Sequence, residues 1–322
     1  MIDNPTFNAF AFEPANNAII GIYAGAAIEV FLCSLILFSH PFFLPDIGEA
    51  AGETSTYERL PDFIKSEFGD ISKKVLSKEI IRFFVNAIAQ KSGSCSFPHC
   101  LEPQTVSRRA LALFVAIRAV YFIYLHELAH VLLGHCRFLS SRFGIKEFPE
   151  LNASIKKGVP LKVLHVFEMQ ADGFAVQMYR RWFGHVKYIG VPVRIDSSQL
   201  ELLSQLASAL VFWIMGSYQS PVTELFETDH PHPTIRMFNA WINDILEQQG
   251  VEGPKQFAGR SKQLEESLTQ AFTRLGRNTL RNEWPIEAVK HWLMVGGLAK
   301  DEVNTELQKL ARYPEGLKHA MV

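Results

Sequence analysis

The chain has 322 residues, 48% of them hydrophobic and 20% charged, a composition that supplies a full core and excludes a disordered chain. A net charge of −1 without a dense basic run gives no reason to expect a nucleic-acid partner. The four cysteines, Cys33, Cys95, Cys100 and Cys136, are too few for a disulfide scaffold and read as reduced thiols of a cytoplasmic protein.

In chain order, Thr6 to Tyr23 reads as a β-hairpin, with "FNAFAF" ahead of the turn residues "PANN". Ala18 to Phe38 is a 21-residue apolar run with one charge, Glu29, and is long enough to cross a bilayer. No Lys or Arg precedes it, which argues against a signal peptide, and Glu29 at mid-span is costly in lipid. A buried strand followed by a buried helix is therefore expected, and no membrane association.

Pro41 to Thr54 is loop-like, Ile71 to Lys91 has helical periodicity, and "GSCSFPHCLEP" breaks the chain. Thr105 to Gly134 predicts a long helix, apolar nearly all round except at Arg118, and so buried in a core. Arg137 to Val159 reads as irregular and Leu161 to Trp182 as a helix. Ser198-x-x-Glu201 is a candidate capping box for a helix through Gly216, and Pro233 suits the first position of a helix running to Gln249. "GVEGP" from Gly250 reads as a linker, with three amphipathic stretches after it. The expected class is mainly α (α+β), with a main domain over 1–249 and a helical extension over 250–322 packed on it.

Chemistry concentrates in "YLHELAHVLLGHC", Tyr124 to Cys136. His126 and His130 stand at i and i+4 on one helix face, a spacing that lets two imidazoles bind one zinc ion. Glu127 follows the first histidine, where a carboxylate can take a proton from an attacking water and pass it to a leaving amine. A third ligand is required, and Leu133 and Cys136 exclude the long zincin pattern with its glycine and third histidine. His135, five residues past His130, turns away from that face and reads as a helix-end histidine favourable to the C-terminal dipole. "HVFEMQADGFAV" supplies a better candidate. Glu168 and Asp172 share one face, and Ala171 and Ala175 keep it small enough to pack closely. Glu168 then completes the ligand set, and Asp172 orients a ligand histidine. His165 is a lesser candidate. In "DHPHPTIRM", His230 and Arg236 form a pair suited to stabilising an oxyanion, although a turn followed by a helix-start proline explains the stretch equally well.

Taken together, "HELAHVLLGH", "EMQADGFA", "HPHPTIR" and "CSFPHCLEP" resemble gluzincin metallopeptidases, and more closely the phage-exclusion peptidases of the Lit family. The resemblance covers short blocks from about Ala18 to Ala240. It implies a zincin-like helical core with the small N-terminal hairpin packed on the active-site helix. It also implies a cytoplasmic zinc endopeptidase of abortive infection acting on a protein substrate, elongation factor Tu. By that resemblance His126, His130 and Glu168 bind zinc, Glu127 is the base, Asp172 supports the ligands, and His230 with Arg236 faces the substrate. Cys95-x4-Cys100 is tighter than the group's spacing; a local clip, or a second metal site with His99, stays open. A protease inside a cell must be held silent, so an activating peptide or protein is expected as a further partner. The alternatives are a non-catalytic module that zinc only stabilises, and a membrane-embedded gluzincin.

Overall fold

The computed structural model describes residues 8–13, 17–53, 103–145, 147–149, 158–183, 195–218, 231, 233, 235–237, 239–241, 259, 262–270, 303, 307 and 309–312. The protein is mainly helical with a small antiparallel sheet. The expected hairpin forms from β1 (Ala9–Phe12) and β2 (Ile19–Ile22), in the register Ala9 to Ile22 and Phe12 to Ile19. A third strand, β3 (Glu147–Pro149), pairs with the other edge of β1, giving the order β2-β1-β3. It lies in a stretch expected to be irregular, because three residues carry no periodicity of their own.

The apolar run Ala18 to Phe38 is divided between β2 and a helix, α1 (Ala24–Phe38). At 15 residues α1 rises only about 22 Å, short of a hydrocarbon core of about 30 Å. Helix α2 (Val106–Leu132) is the centre of the fold and contacts α1, β1, β2 and the later helices. Its start is fixed from outside. The Glu53 carboxylate accepts hydrogen bonds from the Gln104 and Thr105 amides (2.7 and 2.9 Å) and the Thr105 hydroxyl (2.8 Å), while Thr105 caps the Arg108 amide. One turn in, the fully buried Arg108 guanidinium donates to five carbonyls, those of Phe38, His40, Phe43, Leu44 and Ile47. One side chain thereby shapes the whole loop that leaves α1.

Leu132 ends α2. Gly134, at φ +86°, turns the chain into α3 (His135–Phe143). Helices α4 (Leu161–Phe183) and α5 (Ser197–Tyr218) complete the layers around α2. The cap of α5 sits two residues earlier than expected. The Gln199 amide donates to Asp196 Oδ1 (2.8 Å) and the Asp196 amide to Gln199 Oε1 (3.1 Å), so Asp and Gln fill the roles assigned to Ser198 and Glu201.

Two apolar clusters result. One joins α1, α2 and α5 and takes in Leu264 and Leu268; the other joins the end of α2 to α3 and α4 and takes in Val303 and Leu307. The boundary expected at 249/250 lies outside the described residues. Helix α2 is not covered all round as expected, since Val106, Leu113 and Ile117 are 64%, 46% and 55% exposed on the face opposite His126. By length and composition α2 and Ser197–Gly216 could each cross a membrane, but 67% and 72% of their apolar windows are buried in the fold.

Candidate metal centre

Two helices bring the site together. His126 and His130 project from α2 toward α4, which presents Glu168 and Asp172 one turn apart. Ala171 and Ala175 of the same helix are both fully buried. His126 Nε2 lies 3.1 Å from His130 Nε2 and 3.4 Å from Glu168 Oε2, and His130 Nε2 lies 4.0 Å from Glu168 Oε1. A tetrahedral ion with ligand distances of about 2.0–2.1 Å has ligand–ligand edges of about 3.3 Å, so the three side chains fit around one metal ion. Among the described residues this is the group whose ligand atoms converge, all within 4.8 Å of one another.

Charge agrees with geometry. Glu127, Glu168 and Asp172 are three carboxylates, each at most 1% exposed, against one equally buried guanidinium, Arg236. A buried excess of negative charge is costly without a cation. Asp172 Oδ1 is 2.9 Å from His126 Nδ1, which leaves Nε2 for a metal. Burial alone would lower the pKa of His126, but Asp172 and then Glu168 outweigh burial and raise it to about 10. The site draws positive charge onto this ring.

Arg236 comes from helical residues 235–237. Its Nε and Nη2 each donate to Asp172 at 2.9 Å, and Nη1 is 3.3 Å from Glu168 Oε2. The guanidinium, expected on the substrate side, is engaged with Asp172 and Glu168. Asn239, one turn on, donates to the Met169 carbonyl at 2.7 Å and ties this segment to α4. His230, the other expected member of the pair, lies outside the described residues, as do Cys95, His99 and Cys100. His165 is buried but does not belong to the converging group. Burial pushes the Cys136 thiol up, with the Glu13 and Glu127 carboxylates adding to it, so Cys136 stays a small neutral core residue.

His135 departs from expectation. It is the first residue of α3, wholly buried, with its Nδ1 3.0 Å from His130 Nδ1 and its Nε2 3.1 Å from Gln170 Oε1. Phe167 stacks on the ring at 4.3 Å and 11°. Burial lowers its pKa to about 3, only partly countered by Gln170 and Glu168. A neutral ring gives a helix dipole no charge to meet. The turn at Gly134 explains the difference, because on an unbroken α2 a residue five past His130 points elsewhere.

Comparisons with protein-family models, with curated proteins and with solved structures gave no match.

Proposed function

We propose that the protein is a zinc-dependent endopeptidase. The observation that carries the reading is the convergence of His126, His130 and Glu168 at metal-ligand spacing; Glu127, the residue after the first ligand, is also buried. Bound zinc supplies a Lewis acid for a peptide carbonyl and acidifies water. The chain's own residues supply the rest. Glu127 accepts the proton of the attacking water and delivers it to the departing amide nitrogen. Asp172 holds the His126 ring, and Arg236 holds Asp172, which makes Arg236 a positioning residue in this reading. From the family resemblance we carry forward a substrate, elongation factor Tu, and a role in phage defence in the cytoplasm, released by a trigger.

Metal analysis of the wild type beside Glu168→Ala tests the centre, with one zinc per chain expected in the first and loss in the second. Glu127→Gln is expected to keep its zinc and to lose cleavage of elongation factor Tu by a factor of about 10² or more. Full cleavage by that variant sinks the mechanism. The burial of all four residues also favours a second reading, a metal that only stabilises the helices. New N-termini in a lysate incubated with the zinc-loaded wild type, absent with Glu127→Gln, exclude that reading; no new N-termini from either protein support it.

A further inference from the structure

We propose that Gln170 and His135 act as a positioning relay that fixes the tautomer of His130 and so aims its Nε2 lone pair at the metal site. The value of the relay to metal binding rests on the metal-centre reading above, but the tautomer itself does not.

The argument runs from the far end. Gln170 is fully buried on α4, and its side-chain oxygen accepts only. Its partner at 3.1 Å, His135 Nε2, therefore carries the hydrogen. His135 is wholly enclosed and lies flat on Phe167, surroundings that favour the neutral ring. A neutral imidazole with hydrogen on Nε2 has a bare lone pair on Nδ1. That atom faces His130 Nδ1 at 3.0 Å, so His130 must be the donor there. With hydrogen on Nδ1, the neutral His130 ring leaves Nε2 bare, and this is the atom beside His126 and Glu168.

The opposite end of the centre is oriented differently. His126 is held by the Asp172 carboxylate, which is itself clamped by Arg236. The two ligand histidines thus receive their orientation from unlike sources, a carboxylate–guanidinium pair on one side and a neutral histidine–amide chain on the other. The neutral chain adds no charge beside the Glu168 and Asp172 carboxylates. The shape of the backbone makes the relay possible. Gly134 at φ +86° reverses the chain directly after α2, and α3 starts with His135 turned back onto the ligand one helix earlier.

The test uses the full-length protein and two readouts. The first is zinc affinity by competition with a chromophoric chelator. Gln170→Leu, which keeps the volume and removes the acceptor, is expected to weaken zinc 10- to 100-fold. His135→Ala is expected to match Gln170→Leu. The second readout needs no metal: long-range proton–nitrogen correlation of histidine-labelled, metal-free protein, with His130 assigned through its loss in His130→Asn. The wild type is expected to show His130 with hydrogen on Nδ1, and Gln170→Leu a mixture of tautomers. A wild-type His130 with hydrogen on Nε2 overturns the relay whether or not zinc binds, and so does unchanged zinc affinity in a folded Gln170→Leu protein. A wild type with the expected tautomer but no affinity for zinc leaves the relay standing and removes the metal reading instead.

Discussion

Single residues in this protein are tuned by burial first and by partners second. Tyr179 on α4 is 5% exposed, and the Arg118 guanidinium lies 5.5 Å from its ring centre. Burial pushes its phenol up, against the pull of Arg118 and Ser204, to about 12. The folded state therefore holds this proton more tightly than the unfolded chain, whose tyrosines titrate near 10. The associated stability is complete below pH 10 and is lost as pH rises toward 12. Urea midpoints measured across that range are expected to fall for the wild type and to fall less steeply for Tyr179→Phe. Equal slopes would remove Tyr179 as the group responsible. The spacing of charged residues along α2 and α4 made most of the candidate centre legible in the sequence. His126 with His130, and Glu168 with Asp172, are each one turn apart, so local periodicity alone puts each pair on one face. The partner of Arg236 was not legible, since its bonds to Asp172 join positions 64 residues apart.

Among the elements, the helices follow from apolar periodicity because each buries a continuous face, whereas their ends depend on contacts no local pattern encodes. Glu53 sets the start of α2 from across 52 residues, and β3 exists only through its pairing with β1. Arg108 belongs to the same class. Nothing in "VSRRALALF" distinguishes it from Arg109, yet Arg109 is exposed and Arg108 is fully enclosed. Arg108→Met keeps much of the apolar stem and removes the Arg108 bonds to five carbonyls at the α1 exit, of which His40 and Leu44 keep backbone donors in the Phe43 and Ile47 amides. Bonds to charged donors contribute about 1.5–3 kcal/mol each net of lost hydration, and buried acceptors left bare are costly. Chemical denaturation is expected to show a loss of at least about 3 kcal/mol. Because the loop packs near the start of α2 and not its histidine end, zinc content of the folded fraction is expected to stay at the wild-type level. A variant as stable as wild type would show that water satisfies those carbonyls.

At the scale of the whole molecule, the end of β1 and residues 309–312 meet at α3. Glu13, at the end of β1, accepts from Arg137 of α3 at 2.9 Å and from Arg312 near the C-terminus at 2.6–2.8 Å. Arg137 also donates to the Leu310 carbonyl at 3.1 Å. Leu310 and Ala311 pack against the apolar cluster that contains Ala129, Val131 and Cys136, next to both ends of the His130–His135 contact. Gly134 makes this fit possible. A Cβ there would stand 2.9 Å from the Ala311 nitrogen and the Leu310 carbonyl carbon, both backbone atoms that cannot swing aside. Its φ of +86° adds strain for any residue with a side chain. Gly134→Ala must therefore push the C-terminal segment off the α2–α3 corner or distort the turn that carries His135. Either response reaches His130. The variant is expected to lose about 2–4 kcal/mol of stability, to be cut faster by trypsin after Arg312, and to bind zinc at least about tenfold more weakly. Glu13→Gln separates the two routes, because it frees the arginines without touching the turn. Faster cleavage at Arg312 with wild-type zinc affinity in Glu13→Gln would assign the zinc loss in Gly134→Ala to the turn, and a loss in both would assign it to the C-terminal segment.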